Sequence, residues 1–280
     1  MNMETTFVCQ SPGPHSGYVS PEAMVTALSV TSNLEILLIE FRSPLSRPNR
    51  ASRRPPPLTR TILPALTSVL FKGANGYIET LVSLIDVPLL HTFKIRLFNQ
   101  LIFNTLLLHD FFARTEMFES HNHGVMVFSQ GAVEFELGSR LSLRISCAQS
   151  DWQLSSMAQV SKSSLPLFST LEGLDIRENR FSSPHWQGDV ENTQWLEILR
   201  SFTDLNDLYL DEKFTPLAVP ALQGLASERV MEVLPALKNL FIQPRWVQLS
   251  GSIRKAIVQF ITARKLSGHP VVSHRWYGLS

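Results

Sequence analysis

Leu205-Asn-Asp-Leu-Tyr-Leu210 and Leu237-Lys-Asn-Leu-Phe-Ile242 carry one spacing of apolar residues, repeated 32 positions apart. A leucine is followed three places on by a second apolar residue and two places later by a third. The same spacing occurs at Leu34-Leu37-Ile39, Leu66-Val69-Phe71, Leu90-Phe93-Ile95 and Leu171-Leu174-Ile176. First positions fall 32, 24, 81, 34 and 32 residues apart. Apolar residues two apart share one face of a strand, and the residues that alternate with them share the other. One match would mean little in a leucine-rich chain, where an ordinary α/β domain is the alternative. Six matches at near-constant or multiple intervals point to a structural repeat.

The 81-residue interval is about three units of 27. Within it, Val133-Glu-Phe-Glu-Leu137 and Leu141-Ser-Leu-Arg-Ile145 alternate as half-buried strands do. Helix-length segments lie between the strands. Ser20-Pro21-Glu22 combines a cap, a proline suited to the first helical position and an early acid. Further helices are predicted over 78–87, 101–114, 152–160 and 195–202. The last helix has the stripe Ile253, Ala256, Ile257, Phe260 and Ile261, with Arg254, Lys255, Arg264 and Lys265 read as its wet side. Gly268 and Pro270 stop it.

One strand and one helix per unit is the plan of a leucine-rich repeat. Three buried aliphatics do not offset the ordering of some thirty residues, so the units must share burial with their neighbours. The expected fold is therefore α/β: an irregular leucine-rich-repeat-like solenoid, with a parallel sheet on the concave face and helices on the convex face. Residues 1–19 are expected to form a flexible N-terminal segment and 20–280 the repeat domain. Within that domain, 42–60 is an Arg/Pro-rich inserted loop and 251–280 a capping helix and strand.

Composition agrees with a folded chain: 280 residues, 44% hydrophobic, 18% charged, with net charge +1. The two cysteines, Cys9 and Cys147, make neither a disulfide framework nor a zinc spacing. The first residues lack the basic and apolar regions of a secretory signal. The apolar run at 97–109 is interrupted by Asn99, Gln100 and Asn104 and is short for a bilayer. An intracellular location, cytoplasmic or nuclear, and no membrane partner are expected.

Several stretches resemble the C-terminal leucine-rich-repeat-like region of F-box proteins from mushroom-forming fungi. They are the Arg/Pro-rich run from Arg42 to Arg60, Asn99-Gln-Leu-Ile-Phe103, Trp152-Gln-Leu-Ser-Ser156, Asn192-Thr-Gln-Trp-Leu-Glu197 and Thr262-Ala-Arg-Lys-Leu-Ser-Gly-His-Pro270. The resemblance covers nearly everything from Gly17 onward. It implies a substrate-recognition arm of a ubiquitin-ligase adaptor. In such proteins an N-terminal helical motif docks a Skp-type adaptor and the repeats select the substrate. Here about twenty residues precede the first repeat helix, and they hold Pro12, Gly13, Pro14 and Gly17. No F-box and no docking of a Skp-type adaptor are expected.

Signatures of catalysis are missing: there is no G-x-G-x-x-G, Walker loop, H-E-x-x-H or G-x-S-x-G. No enzyme activity, cofactor or metal is expected. His121-Asn-His123 is read as an exposed loop rather than a metal site, and Cys147 as a packed core thiol. Trp152 and Trp195 are assigned to the core, and Trp186 is left open as a binding platform. Seven basic and no acidic residues lie between Phe41 and Ile78. Anion or nucleic-acid binding through this loop is the rival to a protein-binding role.

If the strands line a concave face, the residues alternating with the buried ones form the partner-binding surface. These are Leu38 and Glu40, Leu70 and Lys72, Lys94 and Arg96, Asp175 and Arg177, Tyr209 and Asp211, and Phe241 and Gln243. Among them Lys72, Lys94, Arg96, Asp175, Arg177, Tyr209, Asp211, Phe241 and Gln243 supply the charged, polar and aromatic anchors of the candidate site. The first strand puts Ile36 and Leu38 on the wet face and is expected to leave an open edge prone to self-association.

Overall fold

The computed structural model describes residues 5–10, 19–42, 59–100, 102–118, 122–149, 152–162, 166–179, 192–224, 232–243 and 251–276. The fold is mixed α/β, dominated by a large and mostly parallel sheet. Strands and helices run in the order β1 (Thr6–Gln10), α1 (Pro21–Leu28), β2 (Ile36–Glu40), β3 (Thr61–Ile62), β4 (Ser68–Gly73), α2 (Asn75–Leu84), β5 (Ile85–Asp86) and β6 (Thr92–Leu97). Then come α3 (Leu106–Ala113), β7 (His123–Ser129), β8 (Ala132–Leu137), β9 (Leu141–Ser146), α4 (Trp152–Lys162), α5 (Pro166–Ser169), β10 (Gly173–Glu178) and α6 (Asn192–Leu199). The chain continues with β11 (Asp207–Leu210), α7 (Thr215–Gly224), β12 (Asn239–Ile242), α8 (Gly251–Leu266) and β13 (Val272–Arg275).

Eleven strands form one sheet in the order β1-β2-β4-β6-β9-β8-β7-β10-β11-β12-β13, and β3 pairs separately with β5. The six motifs supply β2, β4, β6, β10, β11 and β12, which keep their sequence order across the sheet. All eighteen motif positions are buried, the most exposed being Ile242 at 6%. Leu174 and Leu208 are direct register partners, as are Leu208 and Leu240. Helices pack beside one another in a layer, α1 on α2, α2 on α3, α4 on α6, α6 on α7 and α7 on α8. Their apolar faces join the inward strand residues in a single core.

The long interval departs from the expected repeats. Instead of three strand–helix units it holds an antiparallel meander, β7-β8-β9, inserted in reverse spatial order. Two reversals return β9 to the direction of β7. Hence β9 pairs parallel with β6 and β7 pairs parallel with β10, and the sheet continues without a break. Gly138, at φ 54°, turns the chain between β8 and β9 where a residue with a Cβ would be strained.

Residues 6–10 also differ from expectation. They form β1, which pairs along the outer edge of β2 and sets Val8 opposite Leu38. The open β2 edge inferred from the sequence is therefore covered, because a short apolar-polar alternation suffices to dock on an existing template. The sheet starts at Thr6, ahead of position 20.

Helix ends follow local chemistry. Ser20 caps α1 by accepting from the Ala23 amide at 3.2 Å, and α8 stops before Gly268 at φ 82°. Two features differ from the sequence reading, one a buried charge and one an added helix. Arg264, read as solvated, is fully buried and donates to the carbonyls of Pro235 and Leu237 at 3.0 Å each. The helix α7, which was not predicted, forms despite Pro220 in its interior. Burial of Ala218, Val219, Ala221 and Leu222 outweighs the lost hydrogen bond.

Glu79 is the least obvious structural acid. From α2 its two carboxylate oxygens accept the amides of Leu107 at 2.8 Å and Leu108 at 2.9 Å. These are orphan donors in the first turn of α3, whose own N-cap Thr105 makes no side-chain cap bond. Glu79→Ala is expected to cost about 2 kcal/mol, the order of stranding buried donors. It should also abolish hydrogen-exchange protection at the Leu107 and Leu108 amides first. Unchanged protection there, measured by NMR, would refute the capping role.

Candidate functional site

Opposite the helices, the sheet presents a second face. Strand register places one continuous row on it: Val8, Leu38, Leu70, Lys94, Ser142, Glu136, Val125, Asp175, Tyr209, Phe241 and His274. A neighbouring row runs through Glu40, Lys72, Arg96, Arg144, Glu134, Val127 and Arg177. All of these side chains are at least partly exposed except Asp175. The reversed meander therefore brings Ser142, Glu136, Glu134 and Arg144 into the middle of the surface. None of these was among the residues singled out from the sequence. The alternation of Val133–Leu137 and Leu141–Ile145 was the signal that could have found them.

The β2–β9 part of the face is charged. Lys72 Nζ donates to Glu40 at 2.5 Å, and this bond is the main reason that the Glu40 carboxyl titrates below its ordinary value. Ser142 and Arg144 both donate to Glu134, at 2.6 and 3.0 Å. Burial, then the charge on Glu134, pushes the Glu136 carboxyl up. Lys94 and Arg96 project from β6 as exposed cations and make no ion pair with a described residue.

The β10–β13 part is aromatic. Tyr209 and Phe241 stack at 4.3 Å between centroids with planes 7° apart, and His274 continues the stack on Phe241 at 4.8 Å. Trp276, just past β13, meets Tyr209 edge-on at 5.3 Å, and His123 does so at 5.8 Å. Strand neighbours about 4.8 Å apart bring side chains standing off the sheet into such stacks. His123 starts β7 rather than lying in a loop. Its ring lies across Gly173, where a Cβ would collide with Nδ1. Burial holds its imidazole below the ordinary value. Two residues earlier on the same strands a polar chain links His274 Nε2 to Asn239 Oδ1 at 3.1 Å, and Asn239 Nδ2 donates to Asp207 at 2.7 Å.

Between the two parts sits Asp175, only 6% exposed. Arg177 approaches one carboxylate oxygen at 3.7 Å, and the other oxygen is buried with no hydrogen-bond partner among the described residues. Burial raises its pKa to about 6, against the pull of Arg177 and with help from Asp211.

The nine residues expected to form the site do not share one role. Lys72, Lys94, Arg96, Arg177, Tyr209 and Phe241 lie on the open face, and Gln243 follows β12, partly exposed, with its amide bonded to Leu210. Asp175 reaches the face but is buried. Asp211 departs furthest from the expectation of a solvent-facing contact. It is buried and accepts the amides of Glu178, Lys213 and Phe214 at 2.8, 2.9 and 3.0 Å, tying β10 to β11 and starting α7.

Elsewhere, Cys147 is buried and Trp195 packs against Phe128 and Phe214, as core residues do. His121, Trp186 and positions 43–58 of the Arg/Pro-rich loop lie outside the described residues. No group of three or more potential metal-ligating side chains occurs among the described residues. No described helix is long and apolar enough to cross a membrane. Comparison with family models, curated proteins and solved structures finds no match to this chain.

Proposed function

We propose that this protein is an irregular leucine-rich-repeat-like solenoid that binds another protein on the open face of its sheet, without catalysing a reaction. The observation that carries the reading is the unbroken row of side chains across that face. Eleven strands bury one side under helices and leave the other lined with ion pairs, exposed cations and stacked aromatics. Solenoids use such surfaces for recognition, with aromatic anchors supplying affinity and charges supplying selection. The near-constant motif interval and the strand–helix alternation support the repeat assignment. The antiparallel meander makes it irregular. The likeness to the recognition arm of fungal F-box proteins supports a role in choosing a protein partner.

The test is capture of partners from the native cell on immobilised wild-type protein, in parallel with Tyr209→Ala and Lys94→Glu variants. Partners retained by the wild type should be lost, by about tenfold or more, from both variants while their circular dichroism stays unchanged. Equal retention by all three would refute recognition through this face. Binding of RNA that falls steeply as salt rises would favour an electrostatic nucleic-acid role instead.

A further inference from the structure

The open face is divided in a way that restricts what it can hold. On β6, Lys94 and Arg96 are exposed neighbours on the same side of one strand, with no ion pair among the described residues. On β11 to β13, Tyr209, Phe241 and His274 stack, and Trp276 packs on Tyr209. Side chains stacked face to face turn their ring edges outward. These edges form an apolar strip suited to an aromatic or aliphatic side chain. Between the two lie Glu134, Glu136 and Asp175, with Arg144 paired to Glu134 and Arg177 to Asp175. The middle of the surface therefore offers no run of unpaired cations to a phosphate backbone, which argues against a nucleic-acid strand following the face. A single acidic side chain at the β6 end meets Lys94 and Arg96, while the flanking acids Glu40 and Glu134 are already paired with Lys72 and Arg144.

Geometry sets the separation. In the sheet β6 and β11 are five places apart, through β9, β8, β7 and β10. At about 4.8 Å per strand this is about 24 Å. An extended peptide rises about 3.3 Å per residue, so about seven residues span it.

Resting on the protein-recognition reading above, we propose that the face holds an extended partner segment crossing the strands. The segment sets an acidic side chain on Lys94 and Arg96 and, about seven residues away, an aromatic side chain on the Tyr209–Phe241–Trp276 cluster. The acid replaces water around two exposed cations, and the aromatic covers the exposed ring edges. Neither contact alone gives direction, but the two together fix polarity and register.

The experiment is a titration of the full chain, followed by NMR, with synthetic Gly/Ser peptides. Each carries two adjacent glutamates and a phenylalanine, in both chain directions. In one set the separation is about seven residues and in the other about three. A third set has lysines in place of the glutamates. One direction of the long-spaced acidic peptide should bind at least tenfold tighter than the short-spaced or lysine peptides, shifting the Trp276 indole signal. The Lys94→Glu, Arg96→Glu double variant should reverse the preference toward the lysine peptide, a gain that misfolding cannot produce. Equal binding of both spacings, equal binding of glutamate and lysine peptides, or displacement of the peptide by single-stranded oligouridine would overturn the proposal. If native partners are still lost from Tyr209→Ala while the peptides show no such preference, recognition by this face stands and only the stated partner chemistry fails.

Discussion

Replacing Leu208 by Ala is expected to destabilise the protein by about 2–5 kcal/mol, as in other close-packed cores. Replacing its neighbour Tyr209 by Ala is expected to cost distinctly less. Leu208 is completely buried between Leu174 and Leu240 in register, and removing its isobutyl group leaves a cavity that flanking strands cannot close. Tyr209 points the other way. It is partly exposed, so its loss opens no closed cavity, and water takes the place of its ring contacts with Phe241, Trp276 and His123. Partner binding should show the opposite order, unaffected by Leu208→Ala at temperatures where the fold persists and lost with Tyr209→Ala. Urea denaturation of the two variants checks the first half. Coincident midpoints would mean that the two side chains do not face opposite sides of the sheet.

Asp175→Asn is expected to stabilise the protein at neutral pH by about 2–3 kcal/mol. The Asp175 carboxyl titrates at about 6 in the folded chain, against about 3.9 when unfolded. Two pKa units correspond to about 3 kcal/mol. The pull of Arg177, 3.7 Å away, is already contained in that raised value and is not lost a second time when the charge is removed. The sign follows from proton binding. Between about pH 4 and 6 the folded state holds a proton that the unfolded state has lost, so stability is highest below this window and falls as pH rises through it. The asparagine variant lacks that loss, and its advantage should vanish below about pH 4. Thermal denaturation of both proteins across this range decides it. An asparagine variant less stable than wild type at pH 7 would show that the carboxylate is satisfied. A destabilising acid held next to an aromatic cluster is the trade expected of a residue kept for binding rather than for stability.

Much of this architecture was legible residue by residue. Leu208 and Leu210 two apart, with Tyr209 between them, define a strand and its two faces from backbone geometry alone. The same holds for each of the six motifs, and all their apolar positions are buried. Ser20-Pro21 marked a helix start because a cap is a contact between residues three apart. Lys94, Arg96, Tyr209 and Phe241 were placed on the open face by the same alternation. The reversal of β7, β8 and β9 was not legible, although β8 and β9 were seen as strands. Alternation states which side a residue faces but not which strand lies next to it. The docking of Thr6–Gln10 on β2, the burial of Arg264 and the diversion of Asp211 into capping α7 are of the same kind. Trp276 joining Tyr209 across an intervening strand is another. Local periodicity is encoded within a few residues, so the sequence by itself determined the six motif strands with β8 and β9, most helices and the two faces of the sheet, but not β1, β3, β5 or β7. Strand order, edge protection and the fate of each charge depend on contacts between residues about 30 or more apart, such as Glu178 with Asp211. Only the tertiary structure decided those.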